Sequence, residues 1–206
     1  MSSYPTVRDP KSDHLMSPAN TALVIIDYQP VQVASISSMP RDQLITNIVA
    51  TARAAHGFGL PVVLSTVNGQ RGDTIRVLRE AIGPDVKTID RTSINSWEDA
   101  DFVKAVKATG RKKLIMTALW TEVCLSLVTL DALHDGYEVY IPVDAVGGIS
   151  RTTHKAAISR MTQAGARLTS VAQFACELQR DWNRKATVPV MVEALTAVGA
   201  FLRSEA

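Results

Sequence analysis

The chain has 206 residues, 46% of them hydrophobic and 20% charged, which suits one globular domain and excludes disorder over most of its length. Its 22 basic and 20 acidic residues leave a formal charge of +2, and the densest basic run, Arg111-Lys112-Lys113, is short, so neither nucleic acid nor a membrane surface is expected as a partner. Two cysteines, Cys124 and Cys176, make no disulfide framework, the polar stretch from Met1 to Pro18 lacks the apolar centre of a secretory signal, and no apolar run approaches the ~18 residues of a membrane span, so a cytoplasmic protein with free thiols is expected.

Short apolar runs alternate with amphipathic stretches along the chain. After an N-terminal extension over residues 1–18, Ala22 to Ile26 is a continuous apolar run ending at Asp27, the pattern of a parallel strand buried on both faces. Pro40 opens a helix whose Leu44, Ile48, Val49, Ala52 and Ala55 share a face, and Gly57 and Gly59 stop it. Pro61 to Thr66 is a second strand, and Asn68 to Gly72 a polar loop. Asp73 is placed to cap a helix reaching Ile82, and Val86 to Ile89 is a third strand. Ser96 followed by Asp99 resembles a capping box for a helix reaching Thr109, with Phe102, Val103 and Val106 inward.

Leu114 to Ala118 is a fourth strand, followed by a helix from Glu122 to His134. Glu138 to Val143 is a fifth, whose pairing should end near Ile141 because Pro142 removes a ladder donor. A helix over Thr152–Ala164, a strand over Ala166–Ser170, a helix over Val171–Trp182 and a helical tail from Thr187 to Ala206 complete the series. Strands alternating with helices require right-handed crossovers and a parallel sheet covered on both faces, within a single domain over residues 1–206.

In a doubly wound sheet, ligands bind outside the carboxyl ends of the strands where the strand order reverses. Three reactive side chains fall at such ends. Asp27 closes the first strand, Arg91 follows the third, and Cys124 lies in the first turn of the helix after the fourth. If the order is 3-2-1-4-5-6, the first and fourth strands are neighbours and bring Asp27 to Cys124. A helix N-terminus and a nearby guanidinium would lower the thiol pKa from about 8.5. Asp27 could accept its proton, and unpaired N–H groups at the helix start could hold an oxyanion. The competing readings are a buried core thiol, a turn aspartate and a surface cation. Cys176, beside Phe174 and Leu178 in a helical pattern, reads as structural, Trp97 and Trp120 as packing residues, and the four histidines show no metal-ligand spacing.

At these positions the sequence resembles the isochorismatase-like cysteine hydrolases, in the branch typified by the bacterial YcaC hydrolases. The segments carrying the likeness run from Ala22 to Gln29, from Asp90 to Asp99 and from Ala118 to Cys124, and the resemblance extends over roughly Asn20 to Trp182. It implies a three-layer α/β/α sandwich with a six-stranded parallel sheet in the order 3-2-1-4-5-6. It also implies Asp27, Arg91 and Cys124 as the catalytic set, and a cis Leu119–Trp120 peptide that aims the Trp120 N–H, with that of Cys124, at an oxyanion. Gln29, Asn95 and Trp97 are the candidates for the substrate pocket wall. Most of the wider family has lysine where this chain has Arg91, and neither Lys87 nor Lys113 matches the motif. A guanidinium does not readily donate a proton, so Arg91 is assigned to electrostatics and geometry.

The metal-binding pattern of the nicotinamidase branch is missing, and no metal or cofactor is expected. The resemblance further implies a homo-oligomer, often octameric, acting on a small molecule. Hydrolysis of an amide-like C–N bond through a thioester leads. Alternatives are a nitrile, carbamate or thioester substrate, or a non-catalytic flavodoxin-like binding or assembly module.

Overall fold

The computed structural model describes residues 8–201. At its centre is β1 (Thr21–Ile26), buried along its whole length. Successive side chains of a strand point to opposite faces. Leu23 and Ile25 therefore enter one core with Leu44, Ile48, Leu64 and Phe174. Ala22, Val24 and Ile26 enter the other with Phe102, Val106, Val128 and Met161. One sheet thus separates two cores, each closed by helices.

The remaining elements are α1 (Pro30–Ala34), α2 (Arg41–Gly57), β2 (Val62–Val67), α3 (Arg76–Ile82), β3 (Thr88–Arg91) and α4 (Ala100–Ala108). They continue with β4 (Lys113–Ala118), α5 (Ser126–His134), β5 (Glu138–Pro142), α6 (Arg151–Gln163), β6 (Arg167–Thr169), α7 (Val171–Gln179) and α8 (Val188–Ala197). All strand pairs are parallel, in the order β3-β2-β1-β4-β5-β6. This is the sheet the sequence implied. β1 and β4 are neighbours in register, Ile26 opposite Ala118, so the chain leaves both strands at the same edge. No helix among the described residues is long and apolar enough to cross a membrane.

Several boundaries differ from expectation for identifiable reasons. α1 went unread because five residues are too few to show a period; Pro30 starts it, with φ preset for a helix. Asp73 does not cap α3. Its carboxylate accepts the Thr74 N–H at 2.6 Å, and the helix begins after Ile75. β3 lies two residues later than expected, so Arg91 is the last residue of the strand. The cap of α4 is Asp99, which accepts the Phe102 N–H at 2.9 Å, and Ser96 is used elsewhere.

β5 continues through Pro142, which pairs with Thr169 of β6. Pairing with β4 stops at Tyr140, and the Val143 N–H bonds towards β6, so the missing donor of Pro142 faces the β4 side beyond the last pair with that strand. α7 ends at Gln179, where Arg180 takes a φ of 62°, and leaves Trp182 exposed. Cys176 on this helix is exposed as well, where a structural core thiol was expected. α8 stops at Ala197, short of the expected tail, of which residues 202–206 lie outside the described range.

Candidate active site

Asp27 leaves β1 with a φ of 61°, a conformation that costs a non-glycine residue about 1–2 kcal/mol, though short polar side chains tolerate it best. The neighbouring backbone fixes it. The Asp27 N–H donates to the Ser65 carbonyl of β2 at 3.0 Å, the Ile75 N–H to the Tyr28 carbonyl at 2.9 Å, and the Tyr28 hydroxyl to the Ala145 carbonyl at 2.6 Å. The turn buries the Asp27 side chain completely.

Arg91 starts from β3, two strands away, or about 10 Å at the usual strand spacing. Its long side chain reaches back across the end of β2. Nη2 donates to Asp27 Oδ2 at 2.7 Å, and both side chains are fully buried. Nε donates to Ser96 Oγ at 2.6 Å, which sets the plane of the guanidinium. Sequence reading assigned Ser96 to a helix cap and missed this support; the only signal was its place in the same polar segment as Arg91. Two polar atoms of the pair, Asp27 Oδ1 and Arg91 Nη1, are buried without a hydrogen-bond partner.

Cys124 follows β4 on a π-helical turn, Thr121–Leu125, that runs directly into α5. One regular helix was expected from Glu122 to His134; instead its first turn is wider. The Leu119–Trp120 peptide preceding the turn is cis. Cys124 is 8% exposed and stands beside Asp27, and each group shifts the pKa of the other. Burial pushes the thiol up to about 12, the Asp27 charge adds to the rise, and Arg91 and the Trp120 N–H oppose it. This corrects the expectation of a lowered thiol pKa: loss of solvation outweighs the guanidinium and the helix start. Burial also raises Asp27, with Arg91 opposing. Burial thus opposes a charge on either group.

The other predicted residues have defined tasks. The Gln29 amide donates to the Val67 and Gly72 carbonyls at 3.2 and 2.6 Å and accepts the Val67 N–H at 3.0 Å, which fastens the loop after β2. Asn95 donates to Asp131 at 2.6 Å and accepts the Trp97 N–H at 3.1 Å. Trp97 packs edge-on against Phe102 and Tyr137 and donates from Nε1 to Asp135. Trp120 Nε1 donates to Ser35 Oγ at 2.6 Å. Lys113 lies at the opposite end of the sheet, paired with Glu138 at 2.5 Å. Two surface cavities, of about 320 and 450 Å³, border α8 and α6, and neither is lined by Asp27, Arg91 or Cys124. Among the described residues no group of three or more His, Cys, Asp or Glu side chains is arranged to hold a metal ion.

Residues 21–173 match the isochorismatase domain family. The chain is 36% identical to the probable hydrolase YcaC of Escherichia coli over 87% of its own length and 84% of that protein. The crystal structure of the Escherichia coli YcaC gene product, described as an octameric hydrolase of unknown specificity, has a TM-score of 0.84 at 32% identity, covering 91% of this chain and 94% of that one. YcaC from Pseudomonas aeruginosa, described with hexane-2,5-diol and covalent acrylamide, also has a TM-score of 0.84, at 34% identity over 93% and 96% of the two chains.

Proposed function

The chain belongs to the isochorismatase family of hydrolases, and from that premise we propose that it cleaves a small amide-like C–N bond through a thioester on Cys124. The observation that carries this reading is the division of labour within Asp27. Oδ2 is held by Arg91 at 2.7 Å, Oδ1 is buried and free of that ion pair, and the Cys124 thiol interacts with the same carboxylate. A carboxyl fixed at one oxygen and free at the other is suited to carry a proton between sulfur and substrate.

As sulfur attacks the carbonyl carbon, the thiol proton passes to Asp27 and the carbonyl oxygen gains the negative charge. The N–H groups of Trp120 and Cys124 stabilise that oxyanion, a role supported by the effect of the Trp120 N–H on the sulfur. Collapse of the adduct breaks the C–N bond, and Asp27 gives its proton to the leaving nitrogen. Water then attacks the thioester while Asp27 takes its proton. The acid leaves and the proton returns to sulfur. Burial pushes the thiol up to about 12, so the mechanism takes the thiol as the resting form and Asp27 as the base that removes its proton. Arg91 donates no proton; it holds Asp27 and offsets its charge.

Gln29, Asn95 and Trp97, the candidates for the pocket wall, spend their side-chain polar groups on contacts within the protein, and Trp97 packs towards Asp135 and Tyr137, near the Lys113 end of the sheet. Likeness to an octameric relative supports a homo-oligomer, and the exposed Val31, Ile94 and Ile149, on segments after β1, β3 and β5, are apolar surface for such contacts. The test is a screen of small primary and secondary amides with the unsubstituted protein and Cys124→Ser. Turnover in the first and none in the second, with a trapped acyl adduct on Cys124, is expected. Equal turnover in both would sink the mechanism.

A further inference from the structure

The turn that bears Cys124 carries a second carboxylate that the proposed reaction does not use. Glu122 Oε1 accepts the Ile149 N–H at 2.9 Å and the Thr153 hydroxyl at 2.8 Å. Its Oε2 is buried without a partner. The backbone of Gly148 passes so close that a Cβ at that position would overlap Oε2. The contact is therefore specified from both sides, by an acid on the turn and a glycine on the facing segment.

That facing segment, residues 147–149, is a strap. The Thr121 N–H donates to the Gly147 carbonyl at 2.9 Å, and Leu119 forms a parallel bridge with Gly147. The Ser37 and Ser38 N–H groups both donate to the Gly148 carbonyl at 3.2 Å, and the Gly148 N–H donates to Ser38 Oγ at 2.9 Å. The Ser37 hydroxyl bonds the Ile149 carbonyl. Beyond the strap, Ser150 and Thr153 form the capping box of α6, and His154 lies 3.0 Å from Thr121 Oγ1 through Nδ1. The loop before α2, the start of α6 and the nucleophile turn thus meet at one place, and Glu122, with the Thr121–His154 contact, joins the last two.

A π-helical turn is rare and tends to occur at functional sites, and the one that carries Cys124 is fastened from outside by these contacts. From these contacts we infer that Glu122 is a positioning residue, clamping the 147–149 strap and the first turn of α6 onto the turn that holds Cys124 against Asp27. It touches none of the proposed reacting atoms. The inference rests on the reading of Cys124 as nucleophile, but its test requires no turnover.

The experiment follows alkylation of Cys124 by iodoacetamide at pH 8, mapped by mass spectrometry, with exposed Cys176 as reference in the same sample. Glu122→Ala releases the turn and speeds labelling of Cys124 at least tenfold with Cys176 unchanged. Glu122→Gln keeps an acceptor oxygen and stays within threefold of the unsubstituted protein. If Glu122→Ala does not fold, Gly148→Ala displaces the same carboxylate and gives the same acceleration. Labelling of the Ala variants at the unsubstituted rate overturns the clamp. So does equal acceleration in Glu122→Gln, which would assign the effect to charge instead of hydrogen bonding. On a substrate from the amide screen, Glu122→Ala lowers kcat at least tenfold with KM within threefold, and Glu122→Gln restores it; an unchanged kcat also overturns the positioning role. Failure of the hydrolase reading appears separately, as absent Cys124-dependent turnover in the unsubstituted protein.

Discussion

Replacing Arg91 with methionine removes the one cation that, among the described residues, is bonded to Asp27, a carboxylate with no solvent exposure. Breaking a buried pair by deleting one partner costs about 3–5 kcal/mol, because the remaining charge stays desolvated. At about 2.1 cal/mol/K of unfolding entropy per residue, 206 residues give about 0.43 kcal/mol per degree. The expected loss in Tm is therefore about 7–12 °C, measured by calorimetry at pH 7. The pH dependence has a fixed sign. Asp27 is already raised by burial, and without Arg91 it rises further. A carboxyl raised on folding is harmless below its unfolded value, 3.8, destabilises increasingly as pH climbs from there to its folded value, and carries the full penalty above it. The Arg91→Met deficit is consequently small near pH 4 and largest at neutrality. The double variant Asp27→Asn/Arg91→Met buries no charge, and asparagine tolerates the left-handed φ. It should recover more than half of the lost Tm. A single-variant loss below about 3 °C, or no recovery in the double variant, would refute the reasoning.

Two further outcomes follow from the same geometry. The alkylation rate of Cys124 should still climb through pH 10, because the thiol is pushed up to about 12, and Asp27→Asn, which removes one cause of the rise, should increase the pH 8 rate about tenfold per unit recovered; a plateau below pH 9 in the unsubstituted protein contradicts the protonated resting state. Asp99→Ala deletes the cap of α4 and should lower stability by about 0.5–2 kcal/mol, read by urea denaturation, without changing the Cys124 labelling rate.

The three candidate residues that the fold brings together were legible because their spacing survives in one dimension: an acid directly after an all-apolar run, a cysteine just past another, and a polar segment carrying the cation between them. Their partners were not. Ser96 looks like a cap in sequence and becomes the prop of a guanidinium only when β3 lies two strands from β1. Glu122 looks like an ordinary first-turn acid, and its contact with Ile149 and Thr153 exists because the β4–β5 crossover returns the chain to the same edge of the sheet. Pro142 seemed to end a strand because a missing donor is costly only where a neighbouring strand would have used it.

The sequence alone determined the layered α/β architecture and the edge of the sheet where the candidate residues gather, since hydrophobic periodicity and strand ends are local properties of the chain. Tertiary structure decided the direction in which the candidate thiol shifts. A cysteine at a helix start near an arginine reads as an activated thiolate, yet burial of Asp27, Arg91 and Cys124 in one desolvated cluster moves the thiol the other way. Desolvation depends on what every other segment covers, and no local pattern in the chain encodes it.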